Sequence, residues 1–190
     1  MNIKQLILSV LFLGIAIYIP LVTAYAQETT SSASNSGLVQ VTTPTPIDYQ
    51  LPYPGMLPDN PLYFLKALRD AITAFFLSKP ADKANFDLLQ SDKNIQASYL
   101  LLTQQQGQTT LALQTFSQAQ DDFAQALTQT ESAKKQGYST KDLVAKFTDA
   151  NQKHEQILEA IAQSTHQNDS QTIKNERGRI QTFTKEIKSL

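Results

Sequence analysis

Beyond residue 60, apolar side chains recur at steps of three and four residues, which is the spacing of one face of an α-helix. Five such stretches follow one another, separated by Pro80, Gly107, Gly137 and a polar segment near Asn168. The pattern predicts an all-α fold, an antiparallel helical bundle of about five helices after an N-terminal signal helix and a disordered linker.

The first predicted helix runs from Pro61 to about Ser78 and carries three phenylalanines. Its apolar stripe is Leu65, Leu68, Ile72 and Phe75, widened by Phe64, Phe76 and Ala71. Burying one Phe contributes roughly 1.5–3 kcal/mol, so we expect these rings in the bundle core. A face that docks a ligand or a membrane is the alternative. On the opposite side, Lys66 and Asp70 are expected to form an exposed pair.

Four longer helices follow. The second is predicted from Pro80 to about Gln106, the third over 109–135, the fourth from a Ser139 cap with Asp142 at its third position, and the fifth over 169–189. In the fifth, isoleucines at every seventh position (173, 180 and 187) indicate either packing on its own bundle or a dimerisation seam.

The segment before the first helix is rich in turn residues. Pro54-Gly55 predicts a type II turn, and Asn60-Pro61 predicts a capped helix start. The ordered signature consists of Tyr53, Pro54, Gly55, Leu57, Pro58, Asp59, Asn60, Pro61, Leu62, Tyr63 and Lys66.

This signature resembles the opening of an uncharacterised bacterial family catalogued as domain of unknown function 5667. The resemblance covers roughly residues 51–130. It implies an exported or membrane-tethered helical protein and supplies no activity or cofactor. Where that family favours an Arg followed three residues later by a Glu, this chain has Asn94 and Ala97.

Residues 1–26 have the three parts of a secretory signal. Lys4 precedes an apolar run, and Ala24-Tyr25-Ala26 forms a small-x-small cleavage site, so the mature chain is predicted to begin at Gln27. If the segment is instead retained, residues 6–22 approach the roughly 17 residues that span a bilayer. We therefore expect an exported protein, extracellular or in the cell envelope, or tethered to the cytoplasmic membrane.

The predicted domain organisation follows. Residues 27–50 form a Ser/Thr/Pro-rich linker, expected to be disordered or extended because it has too few apolar residues to bury. Residues 51–190 form the helical domain, with a family-like region at 51–136 and a C-terminal helical hairpin at 139–190.

Composition excludes several classes of chemistry. The chain has no cysteine, which rules out disulfides, thiol catalysis and cysteine-ligated zinc. Without Lys4 the remaining 15 basic and 17 acidic residues give a net charge near −2, so no nucleic-acid partner is expected. We expect no metal and no cofactor.

Few residues are candidates for chemistry. His154 lies on the apolar stripe of the fourth helix and is expected to be a hydrogen-bonded core residue. Asp121, Asp122 and Asp169 lack the alternating spacing of a calcium loop and are expected on a solvated face or at a helix N-cap. The basic residues of the fifth helix are read as a solvated face, with contact to an anionic polymer or membrane as the alternative: Lys174, Arg177, Arg179, Lys185 and Lys188.

The sequence favours an exported, non-enzymatic interaction or structural module with a protein or envelope partner. A membrane partner is expected only if the signal segment is retained, and weakly charged Gln/Thr-rich faces are compatible with a homo-oligomer. The alternative is a ligand-sensing bundle with an apolar cavity lined by Phe64, Phe75, Tyr99 or Phe116. An enzyme would need His154 and acidic groups to converge in an open cleft.

Overall fold

A computed structural model describes residues 48–103, 108–165 and 169–190, all within one compact unit, Thr43–Leu190. The helices are α1 (Tyr63–Phe76), α2 (Pro80–Thr103), α3 (Thr109–Lys135), α4 (Lys141–Gln163) and α5 (Ser170–Ser189). The described residues contain no strand, which confirms the all-α prediction for them. The predicted signal segment with Ala24, Ala26 and Gln27, most of the linker and the Gly107 helix stop lie outside the described residues.

Helices α2 to α5 pair as two hairpins. α2 and α3 share the most extensive helix–helix contact, and α4 packs on α5. In the second hairpin Asn151 donates to Thr184 at 2.9 Å, and Arg177 donates to Glu159 at 2.6 Å. The contacting residues therefore rise in number along α4 while they fall along α5, so these two helices are antiparallel.

One helix from each hairpin runs in the same direction. Ser117 of α3 donates to Glu176 of α5 at 2.8 Å, and Arg179 donates to Asp121 at 2.6 Å. The partners advance together along both helices, so α3 and α5 are parallel. With antiparallel hairpins on either side, the four helices form an up-down-up-down bundle.

The core consists of two apolar clusters along the bundle axis. Phe123 stands at the centre of one, with the rings of Phe147, Phe183 and His154 between 5.1 and 5.2 Å from its own. The other contains Ile95, Leu113, Phe116, Ala119, Ile157, Leu158, Ile161, Ile173 and Ile180. Both clusters draw on α2, α3, α4 and α5 and on no residue of α1.

Two helix-end predictions have different outcomes. Gly137 follows α3 with φ +83°, as expected for a left-handed stop that favours glycine. The cap predicted at Ser139 is wrong, because α4 begins at Lys141 after Thr140 and no side chain caps it by a hydrogen bond. Thr140 is itself buried, so its packing position takes precedence over capping.

The regularly spaced isoleucines of α5 face the bundle interior. Ile173, Ile180 and Ile187 are each 7% exposed or less and belong to the two core clusters. They pack on their own bundle, as one of the two sequence interpretations predicted. This side of α5 therefore offers no seam to a second chain.

The prediction that the aromatic face of α1 lies in the core is wrong. Phe64, Phe75 and Phe76 are 60%, 83% and 74% exposed, and α1 makes few contacts with the other helices. The physical reason is that α2 to α5 complete their core without it. The helix also begins at Tyr63, two residues after the predicted Pro61, and ends at Phe76.

The linker boundary also needs correction. Tyr49, placed in a linker with nothing to bury, packs at the edge of the Phe123 cluster. Leu51 packs against the second cluster, and Pro54 is fully buried. The entry segment is thus attached to the bundle before the chain turns at Gly55, where φ is +74°.

Two glycines provide opposite tests of backbone conformation. Gly178 lies on the exposed surface of α5, where an added Cβ meets nothing within 4 Å. Gly178→Ala should raise the free energy of unfolding by about 0.5–1 kcal/mol, because glycine is a poor helix former. Gly137→Ala should lower it by about 1–2 kcal/mol, because L-residues resist positive φ. Urea unfolding measures both changes, and a change of the free energy of unfolding in the same direction for both variants would contradict this account.

Candidate interaction surface and cleft

α1 carries two chemically different faces, and the apolar one points away from the bundle. The bundle side lines a cleft against α2 and α3 and consists of Tyr63, Lys66, Ala67, Asp70, Ala71 and Ala74. Ala71, predicted to widen the apolar stripe, thus lies on the cleft side. The outward face, named so below, consists of Phe64, Leu65, Leu68, Ile72, Phe75 and Phe76. A surface helix of a soluble domain normally has the reverse orientation. α1 therefore turns its polar face toward the bundle and its apolar face toward solvent.

The exposed aromatic rings give the outward face its area. With roughly 200 Å² per aromatic side chain, the solvent-exposed fractions of its three Phe rings alone leave about 400 Å² in water. The largest apolar patch on a typical monomer is about 300–600 Å² and is often functional. Because Leu65, Leu68 and Ile72 add to the rings, this face is at or above the upper part of that range.

The family-like signature forms the support on which α1 is placed. Pro54 is buried, Gly55 supplies the positive φ of the predicted turn, and Asn60 accepts a 2.9 Å hydrogen bond from the backbone N–H of Leu62. The other signature residues are Tyr53, Leu57, Pro58, Asp59, Pro61, Leu62, Tyr63 and Lys66, of which only Lys66 is buried. The signature thus fixes where α1 starts and leaves Tyr53 in solvent.

The cleft behind α1 has a volume of about 400 Å³. Its lining from α2 and α3 includes Phe86, Asp87, Asn94 and Asp122. It combines carboxylates and amides with apolar walls, so it is suited to groups that carry hydrogen-bond donors.

Lys66 is the unexpected member of this cleft. It was predicted to form an exposed pair with Asp70, yet it is 8% exposed, and Asp70 pairs with Arg69 at 2.7 Å instead. Among the described residues Lys66 has no hydrogen bond or ion pair, and its ammonium lies 5.0 Å from the centre of the Tyr63 ring. Burial lowers the pKa of Lys66, with a smaller opposing effect from Asp70.

Two carboxyl groups in the cleft are also perturbed. Desolvation raises the pKa of Asp87 to about 6, opposed by Lys83. Desolvation likewise raises the pKa of Asp122 to about 6, although hydrogen bonds from Asn94 and Gln118 act in the other direction. Both groups therefore change charge close to neutral pH, and the cleft becomes less negative as the pH falls.

Asn94 joins the two helices behind the cleft. It is 7% exposed, and its Nδ2 donates to Asp122 at 2.8 Å. Its Oδ1 is buried without a hydrogen-bond partner, as are Gln120 Oε1 and Asn151 Oδ1 among the described residues. Ala97, the other position that differs from the family pattern, is fully buried. Neither residue supplies the charges that the family favours there.

His154 belongs to a buried polar chain. Its Nε2 lies 3.0 Å from Asp92 Oδ1, and Gln120 Nε2 lies 3.3 Å from its Nδ1. Tyr49 donates to the other oxygen of Asp92 at 2.5 Å, and both burial and Asp92 raise the pKa of Tyr49. His154 is fully buried, as the core prediction required, and its carboxylate partner is Asp92 on α2.

The remaining candidate residues do not converge. Asp121 pairs with Arg179 and Glu159 with Arg177, each at 2.6 Å, so the basic surface of α5 is partly neutralised by its own bundle. Within residues 48–103, 108–165 and 169–190, no cluster of three or more acidic or histidine side chains is arranged to hold a metal ion. None of the helices in those ranges has the length and apolarity needed to cross a membrane.

The rings proposed for a ligand cavity are also separated. Phe64 and Phe75 lie in solvent, Tyr99 is partly exposed, and Phe116 is packed in the second core cluster. These four side chains therefore do not enclose a common space.

The sequence shows the polar face of α1 but not its orientation toward the bundle. Tyr63, Lys66, Asp70 and Ala74 are spaced by three, four and four residues, so they share one helical face. Nothing in the spacing says which of two faces meets the bundle. Asp87, Asn94 and Asp122 join the site only through tertiary packing.

Removing the histidine tests the buried polar chain. His154→Ala should lower the free energy of unfolding by about 3–5 kcal/mol, because it opens a cavity and removes a partner from the buried Asp92. The neighbouring exposed Glu155→Ala is the matched control and should change it by less than about 0.5 kcal/mol. Chemical denaturation measures both, and similar losses would contradict the assignment.

The Asp87 carboxyl predicts a pH-dependent stability. Its folded-state pKa of about 6 lies above the ordinary 3.8, so its charged form destabilises the fold above pH 6 and the cost disappears below about pH 4. Asp87→Asn should therefore raise the melting temperature at pH 7.5 and leave it nearly unchanged at pH 3.5, where the carboxyl is protonated in both the folded and the unfolded chain. Asp59→Asn, on the exposed entry segment, is the control. An equal effect of Asp87→Asn at both pH values would refute this explanation.

Comparison with protein families, curated proteins and solved structures finds no match to this chain. The resemblance to domain of unknown function 5667 therefore stays a prediction, and function has to be argued from the surface and cleft of α1.

Proposed function

We propose that this protein is an exported, non-enzymatic helical interaction module of the cell envelope or extracellular space, and that it binds its partner through the outward face of α1. One observation carries the proposal. α1, which follows an entry segment anchored by the buried Pro54, holds its polar side toward the bundle and its aromatic side in solvent.

The energetics favour association through this face. Each Phe moved from water into a packed interface contributes roughly 1.5–3 kcal/mol. Phe75 and Phe76 contact each other edge to face, with ring centres 5.6 Å apart, so two of the anchors form one contiguous feature. Aromatic side chains that are exposed together in this way are typical of interface hot spots.

The proposed absence of catalysis rests on accessibility. His154 is fully buried beside Asp92, so a substrate has no route to this pair without unfolding the core. In the cleft, Asp122 is occupied by hydrogen bonds from Asn94 and Gln118.

The proposed address comes from the sequence. A charged start, an apolar run and a small-x-small site precede a Ser/Thr-rich segment, and the chain contains no cysteine. An exported domain of this size without disulfides has to be stable through its core alone, and a four-helix bundle provides such a core.

A ligand-binding role is the second candidate, and Lys66 favours it. Lys66 places a buried ammonium without a hydrogen bond in a cleft that Asn94 also lines, so a small polar ligand with an acceptor group would find a donor there. Such a ligand would bind behind α1 and leave the outward face in solvent, so the experiment below separates the two roles.

Photo-crosslinking in intact cells tests the proposal. A photoreactive benzoyl-phenylalanine replaces Phe75 in the full chain, expressed in bacteria, and irradiation should give discrete higher-mass adducts. The purified protein is also sequenced from its N-terminus, which should begin at Gln27. An intact Met1 would favour the tethered form over the cleaved one.

The same amino acid at Tyr138, an exposed aromatic on the turn after α3, is the matched control and should give no such adducts. Adducts of equal yield from both positions would mean nonspecific contact. Their absence from both would remove the interaction role.

A further inference from the structure

We propose that the outward face of α1 is covered by the α1 of a second copy of this chain, giving a two-fold symmetric dimer. The inference rests on the proposed function, because it names the partner that this face takes. The spacing of the face, its area and the charges at its border each bear on the choice of partner.

The spacing fits another helix. Leu65, Leu68, Ile72 and Phe75 follow one another at intervals of three, four and three residues, which is the repeat of a helix–helix seam. All four are at least 38% exposed. Side chains at these positions interdigitate with those of a second helix. A helix lying on a membrane shows the same repeat, so the area of the face and the charges at its border decide between the two partners.

The exposed area of the outward face suits a dimer interface. The three Phe rings leave about 400 Å² in water, and the aliphatic members of the face bring it toward the roughly 800 Å² per partner of a standard interface. α1 has 14 residues and is about 21 Å long, so the seam covers two heptads. Phe64 and Phe76 widen the contact on both sides of the seam.

The charges favour self-association over a lipid surface. Helices that lie on anionic membranes carry Lys and Arg along the border of the apolar face. In α1, Lys66 is buried at the cleft and Arg69 is already paired with Asp70. Two copies of this helix therefore approach each other without a net like-charge repulsion, and an anionic surface finds no unpaired cation on the outward face.

The other described helix with a heptad repeat, α5, is not available as a dimerisation seam. The isoleucines of α5 that the sequence offered as a dimerisation seam are buried in their own core. Among the helices of the structure, α1 combines a seam-like repeat with solvent exposure.

The full chain is purified from expressing cells, in mild detergent if the signal segment is retained, and its mass is measured by sedimentation equilibrium over a hundredfold concentration range. The wild type should be a dimer. Leu68→Glu combined with Phe75→Glu should be a monomer with unchanged helical circular dichroism, because both side chains are exposed. Leu89→Glu, at an exposed leucine of α2, is the matched control and should remain dimeric.

The cysteine-free chain allows a second measurement that does not depend on equilibrium mass. Leu68→Cys and Ile72→Cys variants, oxidised separately and mixed, should give disulfide-linked dimers. Links within each variant indicate parallel helices, and links between the two variants indicate antiparallel ones. Tyr138→Cys should give none.

The outcomes separate this inference from the proposed function. A monomeric wild type that still forms Phe75 adducts with another protein overturns the dimer and keeps the interaction role. A monomer without Phe75 adducts overturns both. A dimer that survives the double substitution, or a wild-type monomer that pellets with vesicles of anionic lipid while the double variant does not, also overturns the dimer.

Discussion

The packing of α2 against α3 determines where the other described helices can pack. These helices share the largest contact in the structure, and between them they contribute Ala84, Leu88 and Ile95 from one side and Phe116 and Phe123 from the other. The second hairpin adds its own apolar stripes to these same clusters. Once the four stripes have met, no apolar position on the bundle interior remains for α1. That helix therefore meets α2 and α3 through small and polar residues across a cleft.

Buried polar groups then fix the register of this apolar packing. Ser91 donates to the backbone oxygen of Ala119, and Asn151 donates to that of Ile180, each tying one helix of a hairpin to a defined turn of its partner. The contact of His154 with Asp92 ties the two hairpins together. Apolar stripes tolerate a shift of one turn, but a buried donor that loses its acceptor costs about 1–3 kcal/mol. The apolar stripes thus bring the helices together, and the buried polar side chains determine their register.

Much of the fold could be predicted from residue spacing, and the site could not. Spacing located α2 to α5, and Gly137 and Pro80 marked real helix ends. The error was to treat the stripe of α1 as core because it is the most aromatic. Periodicity identifies an apolar face but not its partner, and a helix whose apolar face binds another molecule has the same pattern as one that closes a core. The burial of Lys66 and the pairing of Asp92 with His154 depend on tertiary placement.

The apolar side chains on the outward face of α1 are not buried when the chain folds, so the free energy of burying them remains available for binding. A bundle able to use three phenylalanines would gain several kcal/mol by rotating α1 about its axis, at roughly 1.5–3 kcal/mol for each ring. Such a rotation would bring the apolar rings against Asp87 and Asp122, whose pKa values are already raised by burial, and would desolvate both carboxylates further. The cleft chemistry therefore disfavours burying the rings within the chain, which is why they lie in solvent, where the proposed partner would cover them.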